Sequence, residues 1–271
     1  MDEEIAKTGL DVANKTIELA NKVYDDGLSK PTKVLGNGLS TCLSFLGAII
    51  SPKMYEYIQN AEYKKKEIDK RLANKYNTIP EEKRVKPRMN IMGPAVELLK
   101  YNLDENYIKD IFINIMSSEM NEEKQDKVLP SYIEIVRQLS KNDSQLLKSF
   151  YDLYRSKGKR QFPLDIIKAK QKNEEGYREL EKYVIGKASK EGSVVTLHTI
   201  KLNPIIIDNL CRLELIKIHN ESYIPNMNDY DMAFDSIKNN YSGLENYEIY
   251  YEKGILEITE YGINFLNICF E

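Results

Sequence analysis

Apolar residues recur at spacings of three and four through the first half of the chain, with charged residues between them. The pattern is fullest after residue 106, where one stripe consists of Ile108, Ile111, Phe112, Ile115 and Met116. Such stripes are typical of amphipathic helices that bury one side in a core. The chain has 271 residues, of which 42% are hydrophobic, so it can build one large core or two small ones. We therefore predict an ordered protein that is mostly α-helical.

The stretch from Val34 to Pro52 contains no charged residue, in a chain whose residues are 30% charged. Its helical part, Leu39–Ile50, would be about 18 Å long against a hydrocarbon core of about 30 Å, so it cannot span a membrane alone. Leucines and Ile50 form one stripe, and small residues that permit close helix approach form another. Three interpretations stay open: a buried helix of a bundle or oligomer, a helix at or in a membrane, and a flexible linker. The candidate interface residues are Leu39, Leu43, Phe45, Leu46, Gly47 and Ile50.

Prolines divide the helical region that follows. Residues 53–78 read as one long helix, and Lys53–Arg88 holds 11 Lys or Arg against 6 Asp or Glu, which is typical of a solvated face but also suits anionic lipid or RNA. A connector runs from Ile79 and Pro80 to Pro87. We expect Pro94, after Gly93, to sit in a first helical turn, and Asp104 to cap the next helix. Further helices should open at Pro130-Ser131 and at Asn142–Ser144.

Beyond Tyr154 the order of signals is helix, helix, helix, hairpin, helix, which predicts a winged-helix-like α+β module. Pro204–Leu213 is apolar with helical spacing, Ile216–Ile218 alternates, and Leu256–Thr259 reads as a strand that leads into a final helix. We therefore divide the chain into residues 1–52, with the first helix and the uncharged segment, a helical module over 53–140, and a winged-helix-like module over 141–271.

The charge of the last module argues against DNA binding through a winged helix. Residues 203–271 hold four Lys or Arg against twelve Asp or Glu, which would repel a duplex. A basic cluster precedes this acidic stretch and has only Asp165 opposing it in the sequence. If nucleic acid or an acidic partner binds, these residues are the candidates: Arg155, Lys157, Lys159, Arg160, Lys168, Lys170 and Lys172.

The sequence contains no recognisable catalytic or cofactor motif. It has two histidines, His198 and His219, neither with an acid or nucleophile at a telling spacing, and three cysteines with no C-x-x-C pair. A zinc site, a disulfide framework and a phosphate-binding glycine loop are therefore not expected. Asp229, Asp231 and Asp235 lack the glycine and closing glutamate of a calcium loop. We expect no metal and no cofactor. The acidic start and the cysteine usage predict a cytoplasmic protein, with a place at the inner face of the membrane left open.

Several short runs together resemble one known family. They are Asn77–Glu82 with Pro87 and Gly93-Pro94, Phe112–Met120, Asp126–Ser140, Asn209–Ile216 and Thr259–Phe265. These runs, over roughly residues 45–271, are similar to the abortive-infection alpha family, a bacterial domain of unknown function linked to phage defence. Two positions depart from the family pattern: Leu129 stands where His is common, and Glu214 where Gly is common. The second departure implies that the turn there is made without a left-handed glycine.

The resemblance implies defence against bacteriophage and supplies no mechanism. Most of the matched residues read as determinants of the fold: Ile79, Pro80, Pro87, Gly93, Pro94, Pro130, Ser131 and Gly262. The leading hypothesis is a non-enzymatic protein that acts by self-association or by binding a phage or host protein. The uncharged segment would be the interface. In one form of this hypothesis the segment also contacts the membrane surface. Two alternatives stay open: a nucleic-acid-binding regulator that uses the basic cluster, and an unrecognised hydrolase or nuclease whose carboxylates meet only in the fold.

Overall fold

A computed structural model describes residues 61–171, 176–191, 194–225 and 246–271 of the protein. The chain divides into two compact units, one of residues 1–139 together with Asn267–Glu271, and one of Ser140–Leu266. The uncharged segment, the acidic loop around Asp231 and Lys172 lie outside the described residues. The first unit is discontinuous in the chain, because its last segment, Asn267–Glu271, follows the whole of the second unit.

The described part of the first unit is helical. Its helices are α1 (Ala61–Asn77), α2 (Met89–Tyr101), α3 (Asn106–Glu119), the single turn α4 (Glu122–Gln125) and α5 (Ser131–Arg137), with a 3-10 turn at Glu81–Lys83. Helix α3 packs against both α1 and α2, and α2 also packs against α5. The α3 stripe predicted from the sequence is buried, with Phe112 1% and Ile115 0% exposed. It forms the core of this unit together with Ile68 and Leu72 of α1.

Two helix starts differ from the prediction. Helix α2 begins at Met89, so Pro94 lies inside it rather than in its first turn. An internal proline costs a helix about 3 kcal/mol, but Ile91 and Met92 are 0% and 2% exposed, and their burial favours the longer helix. Helix α3 is preceded by Glu105 rather than by Asp104. Asp104 instead forms an ion pair with Lys64 of α1.

In its described residues the second unit consists of an antiparallel sheet and three helices. Its elements are α6 (Lys141–Lys157), β1 (Gln161–Gln171), β2 (Arg178–Glu191), β3 (Val194–Lys201), α7 (Pro204–Arg212), β4 (Ile216–Asn220), β5 (Tyr247–Ile258) and α8 (Glu260–Phe270), whose last turn belongs to the first unit. The five strands are ordered β3-β2-β1-β5-β4. Strands β1, β2 and β3 thus lie where the sequence suggested helices. For β1 the reason is that the run from Phe162 to Ala169 is buried in a central strand without polar alternation. The chain as a whole is α+β.

The central strand β1 contacts both the first helix of this unit and its last strand. Strand β1 pairs with β5 over its full length, from Gln161 opposite Glu257 to Gln171 opposite Tyr247. Helix α6 packs on the start of β1, where the rings of Phe150 and Phe162 are 5.1 Å apart. Ser140 and Asp143 form a capping box at the start of α6, and the N-cap Ser140 lies two residues before the cap predicted at Asn142. No helix within the described ranges is both long and apolar enough to cross a membrane.

Candidate functional site

The basic residues predicted as a binding cluster fall into two groups in the structure. Arg155 and Lys157 are exposed in the last turn of α6, and Lys170 is exposed on β1. Lys159 lies over the ring of Phe162, with its Nζ 5.4 Å from the ring centroid. The other two described members are neutralised by carboxylates that come from far along the chain. The freely exposed cations are therefore concentrated at the end of α6.

Lys168 is the clearest member of the neutralised group. Its side chain is 7% exposed, and its Nζ lies 2.6 Å from Glu252 of β5 and 3.9 Å from the centroid of the Tyr177 ring. Burial alone would lower the pKa of Lys168, but the hydrogen bonds to Glu252 and Tyr177 outweigh it, so the pKa lies above its ordinary value. The Lys168 ammonium group therefore stays charged, and its contacts are with Glu252 and Tyr177. It links β1 to β5 and is not available to bind a ligand.

An open cleft of about 570 Å³ lies where α6 gives way to β1. Helix α6 is followed by Gly158, whose left-handed φ of 64° caps the helix, and then by Lys159, Arg160 and Gln161. The other side comes from the ends of β5 and the start of α8. The remaining lining residues are Ile224, Glu257 and Glu260. The cleft thus carries two cations and two carboxylates.

Arg160 is the central polar group of the cleft. Its Nη2 lies 2.6 Å from Glu260 Oε1, and the two side chains are 36% and 81% exposed. Its carbonyl accepts a hydrogen bond from the Ile258 amide at 2.9 Å, which fixes its backbone on the sheet. The Nε atom is buried and has no hydrogen-bond partner among the described residues. Because Glu260 is 100 residues away, no local sequence signal could reveal this pair.

His219 of β4 also contacts a carboxylate, that of Glu257, which lies 38 residues further along the chain. Its Nε2 lies 2.8 Å from Oε2 of Glu257, which lines the cleft. A histidine and a carboxylate can position a proton, but nucleophilic catalysis also needs a hydroxyl or thiol within reach of the imidazole. Within the described part of the chain, Glu257 is the hydrogen-bond partner of this side chain. Metal-ligating side chains likewise do not gather in groups of three or more there. The cleft suits recognition of a polar group of mixed charge.

The family-like residues occupy positions that shape the backbone. Ile79 is 4% exposed, and its carbonyl accepts a hydrogen bond from Arg84 Nε at 2.9 Å. Pro80 precedes the 3-10 turn, and Pro130 precedes α5, which begins at Ser131. Pro87 is buried. These residues begin or connect elements of the first unit.

Gly262 marks a close contact between α8 and the residue before β4. A Cβ atom at this position would overlap the carbonyl oxygen of Leu215. The Thr259 side chain also contacts this place. Its Oγ1 accepts a hydrogen bond from the Gly262 amide at 2.8 Å, and its O–H group donates to the Glu214 carbonyl at 2.7 Å. Only glycine allows this approach. By contrast, a Cβ at Gly93 would meet nothing within 4 Å.

Glu214 itself provides the turn after α7. Its φ is 58°, in the left-handed region. The Leu215 amide bonds to the Leu210 carbonyl and the Glu214 amide to the Cys211 carbonyl, which is the Schellman arrangement that usually places glycine at this residue. The prediction that the turn is made without glycine is therefore confirmed, and a non-glycine residue takes the left-handed conformation.

A family model described as abortive infection alpha matches residues 59–269. No curated protein and no solved structure matches the chain. The matched span covers most of the sequence, with the whole of the second unit and the larger part of the first.

Proposed function

Because this chain belongs to the abortive infection alpha family, its role is in abortive infection, the defence of bacteria against phage, and we propose that it acts without catalysis, through self-assembly or binding of a partner protein. The candidate interface is the uncharged helix, with Leu39, Leu43 and Leu46 among its residues. The single observation that carries the proposal is the absence of any charged residue over Val34–Pro52 in a chain that is 30% charged.

The position of this segment supports the proposal. It precedes the matched span, which begins at residue 59. The family-like residues within the span serve the backbone: Pro80 and Pro130 precede helices, and Gly262 permits a close contact. A scaffold held in this way can present an attached apolar segment to another protein. The small-residue stripe at Ser40, Ser44 and Gly47 would let a second helix approach closely.

The test replaces two leucines of the segment by aspartate in one variant. We expect Leu43→Asp/Leu46→Asp to abolish protection in a phage plaque assay, because two charges cannot be buried in an apolar interface. The matched control is Lys70→Asp/Asn74→Asp on an exposed part of α1, which should protect as the wild type does. Full protection by a folded Leu43→Asp/Leu46→Asp variant contradicts the proposal.

Fractionation of infected cells separates the versions of this proposal. A shift of the wild type into large soluble species supports self-assembly or a protein partner. Recovery with the membrane supports the version in which the uncharged segment reaches the inner face of the membrane from the cytoplasm. Both shifts should be lost in the aspartate variant.

The exposed cations at the end of α6 favour a second candidate function, binding of nucleic acid. The finer fold proposal that accompanies it is a winged-helix arrangement, supported by helix α7 followed by the antiparallel β4–β5 pair. We expect such binding to weaken steeply with salt and to be lost on neutralising Lys157, Lys159 and Arg160. Lack of any shift of labelled DNA or RNA at low salt excludes this candidate.

A further inference from the structure

We propose that the last turn of α8 is exchanged between copies of this chain, so that Asn267–Glu271 of one copy completes the helical unit of another. The inference rests on the proposed self-assembly and adds a second surface to the uncharged segment. The occupant is a second copy, because the surface already receives this segment of the same chain. Exchange of an identical element between protomers is an economical route to an oligomer, since every contact is kept.

Three polar contacts within the first unit define the receiving surface. Asn114 Nδ2 of α3 donates to the carbonyl of Cys269 at 2.7 Å. Lys75 Nζ, in the last turn of α1, donates to the carbonyl of Glu271 at 2.8 Å. Lys124 Nζ of α4 lies 3.0 Å from Glu271 Oε2. Two cations and one amide from three helices therefore converge on a single helix end, and cations are favourable there because the helix dipole is negative at its C-terminus.

Burial adds to these contacts. Ile268 is 3% and Cys269 1% exposed, so the exchanged segment brings apolar side chains as well as hydrogen bonds. The Lys75 side chain is itself partly desolvated, which lowers its pKa, with Lys124 adding repulsion and Glu271 opposing the effect. The two lysines of the receiving surface repel each other when the segment is absent. The acidic Glu271 side chain reduces that repulsion when the segment binds.

The connection between the units allows the exchange. The first unit passes to the second through Gln138, Leu139 and Ser140, since α5 ends at Arg137 and α6 begins at Lys141. The first unit then receives its last residues only after the complete second unit. A short connection of this kind can act as the hinge when an element is exchanged between copies. Opening at this connection would transfer the second unit and the segment together.

The experiment uses complementary charge reversal in two full-length chains that carry different affinity tags. One chain has Lys75→Glu/Lys124→Glu and the other has Glu271→Lys. Within either chain, and between two copies of it, the receiving surface and the segment carry like charge. Between the two different chains, both exchanged contacts pair opposite charges. The control is one chain with all three substitutions, which restores attraction within a copy.

We expect the mixed pair, coexpressed in infected cells, to give about tenfold more co-purified complex than either variant forms with a differently tagged copy of itself, since several ion pairs of modest strength are restored. The control chain should assemble as the wild type does. Assembly of both variants with themselves as well as with each other overturns the exchange while leaving the proposed self-assembly intact. A wild type that stays monomeric on infection overturns both. Hydrogen exchange in α2 and α3 verifies that each variant is folded.

Discussion

Arg88, whose side chain is 39% exposed, forms a hydrogen-bonded ion pair with the fully buried Glu119 in the helical unit. The Glu119 side chain is 0% exposed and accepts from the Arg88 backbone amide at 2.9 Å and from its Nε at 2.7 Å. Arg88 Nη2 also donates to the carbonyl of Val128. The hydrogen bond to Glu119 is the main reason that the pKa of Arg88 lies above its ordinary value. One side chain thus ties the start of α2 to the end of α3 and to the connection before α5.

We expect Arg88→Ala to destabilise the helical unit by about 1.5–3 kcal/mol, because the buried Glu119 carboxylate loses its side-chain donors and keeps only the backbone amide of residue 88. Urea denaturation followed by hydrogen exchange in α2 and α3 measures the loss. The matched control is Arg137→Ala, whose ion pair with Glu134 is more than half exposed on both sides and should contribute about 0–1 kcal/mol. Equal effects of the two substitutions would contradict the importance of burial.

The contact of Gly262 with Leu215 predicts a strong effect of a single methyl group. We expect Gly262→Ala to destabilise the second unit by about 1–3 kcal/mol or more, since the Leu215 carbonyl cannot move away without breaking its hydrogen bond with the Thr259 amide. Gly93→Ala is the control, because a methyl group there meets open space within α2. That substitution should be neutral or stabilising by up to about 1 kcal/mol. Thermal unfolding of both variants distinguishes the two environments.

The left-handed conformation of Glu214 predicts a stabilising substitution. Glu214→Gly should raise the free energy of unfolding by about 0.5–1 kcal/mol, because glycine adopts a φ near 58° without steric cost. Glu214→Ala keeps that cost and removes the same side chain, so it should lie close to the wild type. A denaturant midpoint for Glu214→Gly at or below that of Glu214→Ala would count against this explanation.

Two cysteines are predicted to react slowly with alkylating agents in the native protein. Burial raises the pKa of the Cys269 thiol well above its ordinary value, and burial, with the nearby Asp208 and Glu214 carboxylates, raises that of Cys211. A raised pKa means less thiolate at a given pH, and the thiolate is the reacting form. We expect Cys211 to label slowly at pH 8 and Cys269 more slowly still, both becoming fast in denaturant. Mass spectrometry of digested protein gives the two rates.

Local signals in the sequence predicted the helices of the first unit and the order of elements from α7 to α8. The α3 stripe, the β4 alternation and the start of α8 after Thr259 are all confirmed. Strands β1, β2 and β3 were not predicted. For the central strand β1 the reason is that a strand buried on both sides lacks the polar alternation of an exposed one. The start of α2 was predicted too late in the chain, close to Pro94. Burial of Ile91 in the core outweighs the preference against a proline inside a helix.

The candidate cleft could be predicted only in part. The cations Lys159 and Arg160 stand out in the sequence as a basic run. Their carboxylate counterparts do not, because strand pairing between β1 and β5 brings them from about a hundred residues away. Electrostatic balance at such a site depends on the topology of the sheet, and a count of charges along the chain cannot supply it.

The discontinuity of the helical unit has a consequence for its biogenesis. Residues 267–271 leave the ribosome more than a hundred residues after Leu139, a delay on the order of ten seconds at the usual speed of translation. During that interval the nascent helices lack the segment that Asn114, Lys75 and Lys124 hold. The unit is completed only once the second unit has been synthesised. The helical unit can therefore reach its final packing only after the second unit has been translated.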